Sequence, residues 1–209
     1  MRKFLYTNRI LLILIFFTQT SCEGVFIPDP IDPRIPKYTD NGNNVAGALI
    51  NDTIWKSVVT HGFPYNPSNQ PSISVWQDQD SLILTFSGNL QGMNVSLEFH
   101  LKGLGISKFE DLIDLDKQKI SLDGISNTGY YIEHYNTSPY SNGPSAYKNK
   151  GVGQIYFKNV CFDDSSTSII LSGTFSFTVN NSNDQIIKVS SGRFDYKINH
   201  ENFSWFDDY

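Results

Sequence analysis

The chain of 209 residues carries 16 Lys and Arg against 21 Asp and Glu, a net charge of −5, and 14% of it is aromatic against 18% charged. The acidic balance excludes the basic footprint of a nucleic-acid binder or of a cationic membrane-surface domain, and the aromatic content excludes a disordered chain. The length suits one domain with a substantial core.

The N-terminus opens with Arg2, Lys3 and Arg9, followed by the apolar run "ILLILIFF" at residues 10–17. A spanning helix needs roughly 20 apolar residues, so the run is too short. A positive start, a short apolar core and small residues before a break define a secretory signal. Thr20 and Ser21 supply the small residues directly before Cys22. This arrangement resembles the lipobox of bacterial lipoproteins, in which the cysteine acquires lipid and becomes the mature N-terminus. Gln19 departs from the aliphatic residue usual there. The resemblance implies a signal peptide at 1–21, lipid attachment at Cys22 and anchorage in the bacterial outer membrane, facing the periplasm or the cell surface. Removal of the three basic residues takes the net charge from −5 to −8, so attachment to the membrane falls to the lipid. Cys161 is then the one remaining thiol, no intramolecular disulfide can form, and a buried small hydrophobe is the expected role of its side chain.

Residues 22–43 contain Pro28, Pro30, Pro33 and Pro36, a density that opposes helix and internal strand and predicts an extended tether. From residue 44 to 209 a single all-β domain is expected, because period-two alternation dominates. "NVAGALI", the break at Asn51 and Asp52, and "TIWKSVV" form a first hairpin. "SISVWQ" and "SLILTFSG", separated by Asp78, Gln79 and Asp80, form a second, followed by "MNVSLEFHL". Ser107 with Glu110 three residues on is a capping-box pattern ahead of "DLIDL", where a turn or two of helix is expected. Asp123 and Gly124 form a favoured two-residue hairpin turn.

Strands "GYYIEHY" and "GQIYFKNV" flank a connection at 136–150 that carries Tyr140 and Tyr147. Connections of this length are commonly functional or disordered. In "SGTFSFTVN" Phe175, Phe177 and Val179 share one face, and "IIKVSSGRFDYKI" closes the chain. About nine or ten antiparallel strands predict a β-sandwich or a partly closed β-barrel.

"VAGALINDTIWKS" together with "LSGTFSFTVNNSNDQIIKVSSGRFDYKI" resembles a family of uncharacterised bacterial lipoproteins. In that family an Asn-containing, apolar-Trp hairpin opens the domain, and a Gly-aromatic strand followed by a Ser/Thr-Gly-Arg/Lys-Phe strand closes it. The resemblance implies an all-β domain on a lipid anchor and implies no established activity.

Catalytic signatures are absent from the sequence. "HENFS" at His200 has Ser204 where a zinc-protease helix needs its second His. His61, His100, His134 and His200 are widely spaced. The acidic pairs Asp78 and Asp80, Asp114 and Asp116, Asp163 and Asp164, and Asp207 and Asp208 read as turn residues, and one pair cannot supply the six to eight oxygens of a calcium site. No metal or other cofactor is expected. Trp55 and Trp76 read as core residues of strands. Tyr140 and Tyr147 pair an apolar face with a hydroxyl, which suits recognition of a glycan or a protein, and they are the candidate ligand-binding residues. The reading is a non-catalytic, lipid-anchored binding or accessory module. The alternative is a cell-envelope hydrolase of complex carbohydrate or peptide.

Overall fold

A computed structural model describes residues 34–57, 60–62, 66–68, 72–76, 80–135, 146–164, 167–180 and 185–206, the strands within 60–76 and residues 204–206 by their backbone alone. Cys22 and Tyr140 lie outside the described residues. Strands β1 (Val45–Ile50), β2 (Thr53–Ser57), β6 (Ser81–Leu90), β7 (Met93–Lys102), β9 (Thr128–His134), β10 (Ala146–Phe162), β11 (Ile169–Asn180) and β12 (Ile186–Ile198) form the body of the domain. Each pairs antiparallel with the next, and β12 returns to β1. The result is a closed eight-stranded meander. The all-β expectation holds, and the architecture is a closed barrel, not a sandwich.

Short strands extend the wall. β5 (Ser72–Trp76) pairs with the first half of β6, and β13 (Phe203–Phe206) runs parallel to β5. β3 (Thr60–Gly62) and β4 (Asn66–Ser68) form a separate hairpin. β8 (Lys119–Leu122) pairs with β10 at 153–156, directly beyond the stretch of β10 that pairs with β9. The segment expected to form a hairpin at Asp123 and Gly124 therefore differs: β8 and β9 lie end to end along one edge of β10. Asp123 explains this, since its carboxylate accepts the backbone N–H groups of Ile125, Ser126 and Asn127 at 2.7, 2.8 and 3.0 Å and shapes a wider bend than a two-residue turn.

Two hairpins are tight. Asn51 and Asp52, and Gln91 and Gly92, have positive φ at both central positions, the backbone form that matches the twist of paired strands. The connection at 103–127 instead folds back over the barrel. Its 3₁₀ helix, Phe109–Leu115, buries Phe109, Leu112 and Leu115 in the common core. The capping carboxylate is Asp111, not the expected Glu110: it accepts from the Ser107 backbone and hydroxyl at 3.0 and 2.8 Å and from the Lys108 backbone at 3.1 Å. The tighter 3₁₀ winding brings the residue at 111 over these donors.

Aromatic rings fill the barrel. Phe86 sits among Phe99, Phe175, Phe194 and Tyr196, with ring centroids 5.7, 6.0, 5.1 and 5.3 Å away. Trp55 is fully buried and donates its Nε1–H to the Val95 carbonyl at 3.0 Å. Wall glycines make room for these rings. A Cβ on Gly88 would stand 2.3 Å from the Trp55 ring, and one on Gly192 the same distance from Phe175. The Gly-aromatic pattern of the sequence is thus a packing rule, in which a strand without a side chain admits the ring of its neighbour.

Residues 34–43, the second part of the proline-rich stretch, are docked on the outer wall. Ile35 is buried, and Pro36 packs so closely on Gly47 that a Cβ there would meet its Cδ at 2.4 Å. The Tyr38 hydroxyl meets Ser172 Oγ at 3.1 Å, and the Lys158 ammonium lies 4.2 Å from the Tyr38 ring centre. The buried Asp195 carboxylate accepts from Thr39 Oγ1 at 2.5 Å, from the backbone of Asn41, Gly42 and Asn43 at 3.3, 2.7 and 3.1 Å, and from Asn43 Nδ2 at 3.1 Å. Burial of a carboxylate is tolerated because five donors converge on it, four on Oδ2 and one on Oδ1.

Candidate functional site

Alternation along "VSLEFHLK" sends Val95, Leu97, Phe99 and Leu101 into the barrel and leaves Ser96, Glu98, His100 and Lys102 on the outer wall. Register then sets their neighbours. Ser81 lies opposite Lys102, Ile83 opposite His100, and Thr85 opposite Glu98 on β6, while β9 places Thr128 beside His100 and Tyr130 beside Glu98. Ser81, Ile83, His100, Lys102, Thr128 and Tyr130 line a hollow of about 340 Å³, and Ile125 and Ser126 of the 123–127 bend close one side of it.

The bend is a fixed wall. Besides the three bonds to Asp123, Gly124 N–H donates to the Asn127 carbonyl at 2.9 Å, and Asn127 Oδ1 accepts from the Lys102 backbone at 2.8 Å. The backbone hydrogen bonds hold the Asp123 carboxyl below the usual aspartate range, as expected for a carboxylate that accepts several N–H groups. On the far side of the hollow, Glu98 Oε1 accepts from His100 Nε2 and from the Lys148 ammonium, both at 2.5 Å. Lys148 also lies 4.1 Å from the Tyr130 ring centre, and the His100 and Tyr130 rings are 4.7 Å apart. Four side chains from three strands thus fix one another.

Partial burial pushes the Glu98 carboxyl up, but the hydrogen bonds from His100 and Lys148 and their charges outweigh it and take the value from 4.5 to about 2. A folded value below the unfolded one contributes stability that is present above about 4.5 and is lost as pH falls through about 2. Glu98→Gln is therefore expected to flatten the acid limb of the stability profile across that window. Chemical denaturation of both proteins at stepped pH checks this, and parallel profiles would show that Glu98 is not ion-paired in solution.

Of the two expected site tyrosines, Tyr140 lies outside the described residues and Tyr147 falls elsewhere. Tyr147 belongs to β10, not to a loop, because β10 begins at Ala146 opposite His134. It is 52% exposed and meets the 44% exposed Tyr135 edge to face at 5.1 Å. Glu133 accepts from both the Tyr131 hydroxyl, at 2.9 Å, and the Tyr135 hydroxyl, and this bond to a carboxylate pushes Tyr135 up to about 12. Tyr147 thus sits at the start of β10 and is not among the residues that line the hollow.

The three histidines with described side chains do not gather. His100 belongs to the hollow, His134 Nε2 meets Ser96 Oγ at 2.8 Å, and His200 stacks on Phe109 at 4.2 Å and faces Glu110 at 3.5 Å. Among the described residues no group of three His, Cys, Asp or Glu side chains is placed to hold a metal ion. Three acidic residues of the sequence pairs have structural partners: Asp80 Oδ1 accepts from Gly105 N–H at 3.0 Å, Asp116 Oδ1 from Val160 N–H at 2.8 Å, and Asp163 pairs with Lys197. Cys161 is free and half-buried, not buried as expected. A bulge between Phe157 and Asn159 shifts the alternation by one, turning Val160 into the core and Cys161 outward. Sequence reasoning named none of Glu98, His100, Tyr130 and Lys148 as a site. The signal was the polar half of the alternation in β7, which marks the outer face but not its neighbours. Comparison of the chain with protein-family models, with curated proteins and with solved structures finds no match.

Proposed function

We propose that the chain is a lipid-anchored domain of the bacterial cell envelope that binds a glycan or protein ligand on the outside of a filled barrel and catalyses no reaction. The observation that carries this reading is the preformed hollow on β6, β7 and β9, set against an interior occupied by aromatic side chains. An eight-stranded barrel either fills with side chains or holds a small ligand, and here the recognition surface is the wall. A hydrolase of complex carbohydrate needs two carboxylates across one bond. Glu98 is a single carboxylate tied to Lys148 and His100, and its low value opposes a role as general acid, which supports binding over hydrolysis.

The anchor is Cys22, and the membrane is a partner through its lipid. Residues 34–43, the last part of the expected tether, are docked on the wall. The domain is held close to the outer membrane, on its periplasmic or its outer face. Metabolic labelling with an alkyne fatty acid is expected to mark the wild type and leave Cys22→Ala unmarked, with the variant moving to the soluble fraction. Equal labelling of both proteins would overturn the anchor.

A further inference from the structure

We propose that the hollow on β6, β7 and β9 is a subsite for one carboxylate-bearing sugar unit, such as a uronic acid within a glycan chain. The inference rests on the binding function above and names its site and ligand class. Three features of the hollow point the same way.

The first is charge. The chain as a whole is acidic, at −5, yet no carboxylate is among the residues lining the hollow, while Lys102 and His100 both are. The nearest acid, Glu98, is already matched by Lys148 at 2.5 Å. A ligand entering the hollow meets Lys102, with which no described carboxylate pairs, beside an imidazole whose Nε2 is held by Glu98, and the lysine charge attracts an anionic group.

The second feature is the hydroxyls. Ser81 and Thr128 are only 7% and 2% exposed, and no hydrogen bond joins either side-chain hydroxyl to another described residue. Both line the hollow, where their hydroxyls meet solvent and are open to a ligand. Hydroxyls that both donate and accept suit the hydroxyls of a sugar ring. The third feature is the apolar lining, Ile83 and Tyr130, with Ile125 at 84% exposed standing on the bend. A bare phosphate or acetate would leave these uncovered, whereas the C–H face of a pyranose covers them. The 340 Å³ volume lies at the small end of the range for ligand sites, which matches one ring rather than a protein surface. The Asp123 and Asn127 bonds hold the wall in place before binding, so little ordering accompanies association.

Titration calorimetry of the full chain against oligomers of glucuronate, galacturonate and mannuronate, with neutral glucose and mannose oligomers beside them, tests this. At least one uronate series is expected to bind at least tenfold tighter than any neutral series and to weaken as salt rises. Lys102→Ala is expected to weaken that binding at least tenfold, and Thr128→Val at least threefold, with melting temperatures close to the wild type. Equal binding of neutral oligomers, binding indifferent to both substitutions, or no binding of any uronate at millimolar concentration would each overturn the subsite. Capture of a glycan or protein from an array that survives both substitutions would overturn the subsite and leave the anchored binding function standing.

Discussion

Replacing Phe86 by alanine is expected to lower the melting temperature by roughly 10 °C. Phe86 is fully buried and touches rings from β7, β11 and β12 on three sides of the interior. Truncating a buried phenylalanine costs about 3–5 kcal/mol, because the lost transfer energy adds to that of the cavity left behind. A wall closed through eight strands cannot collapse inward without breaking its ladder. For a domain of this size, each kcal/mol moves the midpoint by about 2–4 °C. Phe86→Leu retains most of the volume and should lose less than half as much. Thermal unfolding followed by circular dichroism checks both. A shift below about 2 °C for the alanine variant would mean that the interior has spare room, and the barrel could then no longer be read as filled.

Much of this architecture was legible because alternation survives in the strands that carry it. Phe175, Phe177 and Val179 read on one face and all are buried, and Trp55 reads as core and is fully buried. Closure was not legible. Whether a meander folds into two layers or meets itself depends on the pairing of β12 with β1, a contact between the two ends of the domain that no local pattern encodes. Bulges hid the rest. In β12 the register slips near Ser190 and Ser191, the latter at φ 52°, so that the inward series changes from Ile187 and Val189 to Phe194, Tyr196 and Ile198. A reader who keeps strict period two would turn one half of that strand outward.

The site was harder to read for a related reason. Tyr140 and Tyr147 stood out because they interrupt a polar stretch, whereas Glu98, His100 and Lys102 look like the ordinary solvated half of a strand. What turns these three into a site is the neighbour at each register position: Thr128 and Tyr130 from β9, Ser81 and Ile83 from β6. Lys148 arrives from a strand fifty residues further along, to close on Glu98. Asp195 is a parallel case, since nothing in "GRFDYKI" distinguishes an aspartate that collects donors from residues 39–43.

Asp195→Asn is expected to release that docked segment while the barrel stays folded. The carboxylate gathers two side-chain donors and three backbone N–H groups onto two oxygens. An amide keeps one acceptor oxygen and turns an NH₂ group toward N–H donors, so contacts are lost and a repulsive one is gained. Hydrogen bonds to a charged partner contribute about 1.5–3 kcal/mol each, but these five share one group and will not add. A net loss of about 3 kcal/mol is the expected size, concentrated in residues 34–43. Trypsin reads this directly, because Arg34 and Lys37 lie in the segment, with Ile35 buried between them. Where opening is fast relative to cleavage, the cleavage rate follows the open population, and each 1.4 kcal/mol raises it tenfold. Cleavage after Lys37 should therefore rise at least tenfold in Asp195→Asn, before any cut within the barrel strands. Thr39→Ala removes a single donor and should move the rate in the same direction by a smaller factor. Equal cleavage of wild type and Asp195→Asn would show that Pro36 and Tyr38 hold the segment without the carboxylate. Faster cleavage would make Asp195 the group that fixes residues 34–43 to the barrel wall.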